Sequence, residues 1–240
     1  VRYLIITIPF LSLWFGSCGS YAVQQSAKEA LEIADLWYRA AHYEEAIKKY
    51  RDARARDPGL IHAWLGEANS YRERGIIKLK KGDRQAAERD LTWALELFGE
   101  VLKRSTNNPG AYYGKALLYY QCATCLEPLF TEKERKLYRD SALENFKLVI
   151  KYEPQNASAH RYLGLLHSMR AEYQEAIHHL KMYLKRPERR LAELKKWNPL
   201  KPEEQEIKRQ RINDIETDIL YTKELIKALK EGLQTSGSER

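Results

Sequence analysis

Cysteine and histidine are the side chains of this sequence whose spacing could do chemistry. Cys122-Ala-Thr-Cys125 has the separation of a redox dithiol. A c-type haem attachment would need His at the next position, where Leu126 stands. A thioredoxin-like pair would follow a strand and open a helix, whereas this pair falls toward the end of a helical pattern. The reading is packed small residues, with an oxidised pair as the alternative, because Cys residues three apart on a helix have neighbouring Cα atoms. His178 and His179 are adjacent and cannot place both rings on one helix face. His160 and His167 lie seven apart, which predicts packing or a surface role rather than metal binding. The chain has no His-Glu-x-x-His, no Gly-rich phosphate loop and no Gly-x-Ser-x-Gly. No catalytic residue, metal or cofactor is predicted, and the protein is expected not to be an enzyme.

The elements that carry these residues are helices. Of 240 residues, 44% are hydrophobic and 31% charged, which excludes a disordered chain and a polytopic membrane protein. Gly (12) and Pro (8) are sparse, and long stretches rich in Ala, Leu, Glu, Lys and Arg favour helix. The net charge is +8, but basic and acidic residues alternate, which predicts a solvated helical surface and no nucleic-acid partner.

The third cysteine has a different setting. Arg2 precedes about twelve mostly apolar residues, too few to span a bilayer, which takes roughly 20, but the length of a signal-peptide core. Small residues then surround the cysteine in Phe15-Gly16-Ser17-Cys18-Gly19. This resembles a bacterial lipobox, although Phe15 stands where that motif prefers Leu, Val or Ile. The resemblance implies a lipoprotein signal peptide over 1–17, an acylated Cys18 and a short tether over 18–26. It also implies a location in the bacterial cell envelope, facing the periplasm. Gly19, in place of Asp, favours the outer membrane. Val1 is expected to mark a bacterial GTG start. Two alternatives stand. Cleavage after Ser20-Tyr21-Ala22 would release a soluble secreted protein, and an uncleaved run would remain as an anchor.

The body of the chain repeats itself. Ala30, Ala34 and Trp37, then Tyr43, Ala46, Tyr50 and Ala53, precede Pro58; His160, Leu163, Gly164 and His167, then Tyr173, Ala176 and Leu180, follow Pro154. These positions resemble the tetratricopeptide repeat. Small residues let two antiparallel helices approach, and Trp37, Tyr50, Leu163 and Leu180 are expected to fill the gaps between pairs. Two looser repeats lie between. The second carries Trp64, Ala68, Tyr71, Ala87, Leu91 and Ala94, with helices expected about two turns longer each. The third carries Tyr112, Ala116, Tyr119, Ala142, Phe146 and Val149. It is interrupted over 126–138 by a loop with Pro128, and Thr131 and Glu134 form a capping box at the following helix. The predicted fold is therefore all-α, a tetratricopeptide-like α-α superhelix of about four helix pairs over 27–185, the middle ones elongated.

C-terminal helices over 186–233 are expected to cap it. Pro187 is expected to open a helix ending near Trp197, and Asn198 to Pro202 to break it. A long helix then carries Ile212, Ile215, Ile219, Thr222, Ile226, Leu229 and Leu233 on one face. That seam either covers the last repeat or forms a coiled-coil homodimer. A tail over 234–240 is expected to be disordered. A basic strip of Lys195, Lys196, Lys208, Arg209 and Arg211 could meet anionic lipid or an acidic partner.

The repeat resemblance implies a concave groove built by the first helix of each pair, which binds a protein or peptide partner. Positions facing it are Leu31, Asp35, Tyr38, Leu65, Asn69, Arg72, Tyr113, Leu117, Tyr120, Arg161 and Leu165. Tyr38, Leu65, Asn69, Arg72, Tyr113, Tyr120 and Arg161 are the candidate contacts, with aromatic and Arg side chains foremost. Some family members clamp a terminal carboxylate with a Lys and Asn pair at the positions of Leu31 and Asp35, so that activity is not expected. The functional expectation is a membrane-tethered scaffold for protein–protein interactions.

Overall fold

The computed structural model describes residues 12–124, 130–199 and 201–238, with side chains from Val23 to Gln234. All regular structure in them is helical: α1 (Ser12–Arg39), α2 (Tyr43–Arg56), α3 (Ile61–Lys80), α4 (Arg84–Arg104), α5 (Pro109–Thr124), α6 (Glu132–Tyr152), α7 (Ala157–Met169), α8 (Tyr173–Lys196) and α9 (Pro202–Ser238). The chain forms two compact units, 1–114 and 115–240. None of the described helices is long and apolar enough to cross a membrane.

Local sequence sets the helix ends. Asp83, Asn108 and Asn156 each accept from the backbone N–H three residues on, at 3.1, 3.0 and 3.0 Å. Thr131 and Glu134 form the expected reciprocal capping box. The α1–α2, α3–α4 and α7–α8 turns share one left-handed residue, Ala41 (φ 60°), Gly82 (φ 84°) and Ala171 (φ 58°). Glycine takes that conformation without steric cost; alanine does not. The helices of the second pair, α3 and α4, have 20 and 21 residues, longer than α2 and α7 with 14 and 13, as the sequence pattern predicts; α8 has 24 because it runs on through Pro187.

The core shows a period that the tetratricopeptide pattern alone did not reveal. Tyr50, Phe98 and Phe146 recur 48 residues apart, as do Ala53, Val101 and Val149; all six are buried. Each ring faces the helix sixteen residues on. A Cβ at Gly66 would stand 2.3 Å from the Tyr50 ring, and one at Gly114 would stand 2.2 Å from Phe98. The third copy has Tyr162 at this place, lying flat on Phe146 with centroids 5.0 Å apart. The polar tip of another residue repeats too. Trp64 Nε1 donates to the Pro58 carbonyl at 2.9 Å, and the Tyr112 hydroxyl to that of Thr106 at 3.0 Å. His160 Nε2 stands 2.9 Å from the Pro154 carbonyl. One ring, 48 residues apart in each case, ties the start of a first helix to the turn before it.

Several expectations are corrected by packing. Trp37 does not fill a gap: it is 38% exposed and lies edge-on to His42 at the α1–α2 turn, with centroids 5.3 Å apart. Pro187 does not open a helix but sits inside α8. An interior Pro forfeits one backbone hydrogen bond and costs about 3 kcal/mol. Here Leu180, Leu184 and Leu191 on either side pack on α9, and that continuous stripe holds α8 together. The backbone of α1 is helical from Ser12, through the stretch 18–26 read as a tether, while burial starts at Ala27. Likewise α9 continues past Leu233 to Ser238.

The α9 seam covers α8. Ile219, Ile226 and Leu229 form one core with Ala176, Ile177, Leu180 and Leu184, and Ile215 and Leu233 pack against it. The seam is occupied within the chain, so a dimer through it would require α9 to leave α8. Lys223 to Glu188 at 2.8 Å and Lys195 to Glu216 at 2.7 Å flank the contact. Within the basic strip, Lys195 is paired, Lys208 donates to the carbonyl of Trp197 at the end of α8, and Arg209 pairs with Glu206.

Candidate functional site

Within the first unit, α1 and α3 lie side by side across Tyr50 of α2. Successive turns place Asp35, Tyr38 and Arg39 of α1 opposite His62, Leu65 and Asn69 of α3. These residues surround a cavity of about 300 Å³. Gly66 lets the Tyr50 ring sit between the helices. The Tyr50 hydroxyl donates to Asp35 Oδ1 at 2.5 Å, and His62 Nε2 stands 3.3 Å from the same oxygen. Burial, then the bond to Asp35, push the Tyr50 phenol well above its usual range, so it stays a donor and fixes the carboxylate. The cavity therefore presents an anchored carboxylate, a tyrosine, a guanidinium, an imidazole, a leucine and a carboxamide. Such a surface suits a polypeptide, whose backbone offers both donors and acceptors.

Of the seven candidate contacts, Tyr38, Leu65 and Asn69 meet here. Arg72 does not line the cavity. It is 3% exposed and pairs with Glu73 at 2.6 Å. It lies near the Tyr38 side chain, whose phenol burial pushes above the usual range. Tyr38 also packs edge-on to Tyr43. Spacing alone makes a long cation one turn beyond Asn69 a surface residue, but α1 closes over it. Tyr113 is half-buried on α5. Tyr120 and Arg161 belong to the second unit. Tyr120 packs edge-on to Tyr162, with centroids 4.8 Å apart. Arg161 is engaged by the last two helices: Asp218 of α9 lies 3.4 Å away, and the guanidinium lies over the Tyr183 ring of α8. Tyr183 itself bonds Asp218. Asp35, Arg39, Tyr50, His62 and Gly66 line the cavity outside those seven. Asp35 is among the groove-facing positions of the sequence pattern, whereas nothing in local spacing marks Arg39 or His62.

The other reactive candidates also resolve. The side chain of Cys18, Cys125 and the loop residue Pro128 lie outside the described residues; Cys122 is buried on α5. The histidines cluster in the second unit. His160 Nδ1 is 2.9 Å from His179 Nδ1, and His167 stacks on His179, with centroids 5.5 Å apart. Because a carbonyl only accepts, neutral His160 donates from Nε2 to Pro154. Its Nδ1 must then accept a proton bond from His179 Nδ1. His167 Nδ1 faces Glu172 at 2.5 Å. Burial first, then His160, His167, His178 and Lys147, push His179 down to about 4.

A group held neutral in the fold gives stability that is present above its ordinary pKa and lost as pH falls through 6.5 towards about 4. Urea midpoints are expected to fall between pH 7 and pH 4.5, and the His179→Asn variant, which keeps a donor, is expected to fall less. Equal slopes for both proteins would assign the loss to the carboxylates instead.

The fold is that of the tetratricopeptide-repeat class: antiparallel helix pairs with small residues at the crossings and a capping helix. Residues 139–189 match the tetratricopeptide repeat family model. The chain is similar to TTC0263, a thermophilic tetratricopeptide-repeat protein of Thermus thermophilus. The identity is 18%, over 87% of this chain and 97% of that one, with a TM-score of 0.54. It is also similar to MamA (19% identity, 74% and 99% covered, TM-score 0.34). A further match is YrrB, described as a tetratricopeptide protein with an unusual peptide-binding site (17%, 69% and 92%, TM-score 0.31). No curated protein matches the sequence.

Proposed function

We propose that the protein is a non-catalytic scaffold that binds a segment of a partner protein between α1 and α3, tethered to a bacterial envelope membrane through Cys18. The observation that carries the binding reading is the meeting of Tyr38, Leu65 and Asn69 with Asp35, Arg39 and His62 around one cavity. Its carboxylate is fixed from beneath by the Tyr50 hydroxyl, so little ordering of that group is needed on binding. The tether rests on the small residues around Cys18 after an apolar run. More than one acyl chain would make it stable, since one binds only marginally.

In-cell crosslinking, with recovered partners identified, tests the groove. Replacing Tyr38 and Leu65 together by alanine is expected to cut capture about tenfold or more, since anchor residues carry most of an interface's affinity. Undiminished capture by a folded variant would move the site elsewhere. Labelling with a palmitate analogue tests the tether. Wild type should be labelled and Cys18→Ala should not; an unlabelled wild type would favour a secreted form beginning at Val23.

A further inference from the structure

The buried carboxylates of the first unit are matched by cations. Arg51 and Arg54 flank Glu67, and Arg74 and Lys78 flank Asp90. The second unit holds cations without such a match. Lys185 and Arg186 of α8 have no carboxylate partner among the described residues, and Arg189 has the exposed Glu193, one turn on and 3.9 Å away.

These cations converge. They follow Met182 by three, four and seven residues, which puts all four side chains on one face of α8. That face lies opposite Leu180, Leu184 and Leu191, which pack on α9. It meets the start of α7 instead. Lys185, Arg186 and Arg189 line a cavity of about 520 Å³, with Met182, Gln155, Ala157 and His160 as its other walls. No carboxylate is among those walls. Glu153 borders the neighbouring hollow, which Arg186 also lines, and one of its oxygens accepts from Asn156 Nδ2 at 2.8 Å. Glu188 is drawn to Lys223 of α9, at 2.8 Å. With Glu153 and Glu193 both counted, positive charge is still in excess, and inside the cavity it is unopposed.

The remaining walls favour the same sign of ligand. Ala157 is the first residue of α7, so the cavity lies at the positive end of a 13-residue helix. The Gln155 carboxamide adds an uncharged donor. His160 has both ring nitrogens engaged, with Pro154 and His179, so it offers a wall and not a proton.

We infer that this cavity binds a phosphate monoester group. The number of cations selects that anion. A carboxylate brings one charge and two oxygens, and would leave one of the three cations unmatched. A monoester brings three terminal oxygens and roughly two charges at neutral pH, so it meets Lys185, Arg186 and Arg189 together. The planar fork of each arginine suits a pair of phosphate oxygens. The site belongs to α7 and α8 of the second unit and is independent of the cavity between α1 and α3.

The test uses the full chain, labelled with ¹⁵N, and methyl phosphate as the probe. Acetate and dimethyl phosphate, each a monoanion, are controls at equal ionic strength. Methyl phosphate is expected to shift the Ala157 amide and the Gln155 side-chain amide saturably, with affinity about tenfold or more above both controls. Arg186→Gln is expected to weaken binding about tenfold with the melting temperature unchanged, since its side chain is exposed. Lys185→Gln serves as the second variant, with a loss in the same direction. Phosphatidylcholine vesicles with and without phosphatidic acid, whose headgroup is a monoester, then distinguish the source. Retention of wild type but not Arg186→Gln on the phosphatidic acid vesicles assigns the site to a lipid headgroup; equal retention of both, with methyl phosphate still bound, assigns it to a soluble phosphate ester. Absence of saturable shifts, equal affinity for the controls, or undiminished binding by both folded variants would overturn the proposal.

Discussion

Phe146→Ala is expected to lower the unfolding free energy by about 3–5 kcal/mol, the usual cost of emptying a fully enclosed phenylalanine site. The ring is 0% exposed and lies flat on Tyr162 at 5.0 Å. Its truncation removes apolar burial and leaves a cavity between α6 and α7. Tyr162 loses its stacking partner as well, a further contribution of about 1 kcal/mol in such pairs. Urea denaturation followed by far-ultraviolet circular dichroism measures it, with the two units' transitions resolved where they separate. A loss under about 1.5 kcal/mol would mean that α7 closes over the hole.

Gly114→Ala is expected to cost about 1–3 kcal/mol, although alanine is intrinsically the better helix former by about 1 kcal/mol. The new methyl would stand 2.2 Å from the Phe98 ring, which is itself 0% exposed and cannot swing away. Phe98→Leu should make room. The double variant is then expected to be more stable than the sum of the two single changes by about 1 kcal/mol or more. Strict additivity would show that the two residues do not press on each other. Gly99→Ala, by contrast, is expected to stabilise, because nothing stands near its Cβ. Two Gly→Ala changes in one unit thus differ in sign for a reason visible only in three dimensions.

Much of the fold is legible from spacing. Ala34 with Ala46, and Gly164 with Leu180, are pairs across one helical hairpin, so the tetratricopeptide pattern finds them. Thr131 and Glu134 are three residues apart, and a capping box is a local signal. Spacing misplaces Trp37 and Pro187 because their surroundings are not local. The turn at His42 holds one, and the Leu184 stripe packed on α9 overrides the other. The candidate groove is legible in part. Helical periodicity puts Leu65 and Asn69 on one face, but it says nothing of which helix will cover Arg72 or engage Arg161.

The sequence by itself determined that this chain is helical, where its helices are capped, and which small residues allow pairs to close. Those properties depend on backbone chemistry and on neighbours three or four residues away. Only the tertiary structure decided that the α9 seam is spent on α8, that Glu67 is enclosed by two arginines, and that Gly99 borders open space while Gly114 borders a ring. Those outcomes depend on residues distant in the chain meeting in space, where volume and charge, rather than local propensity, select the arrangement.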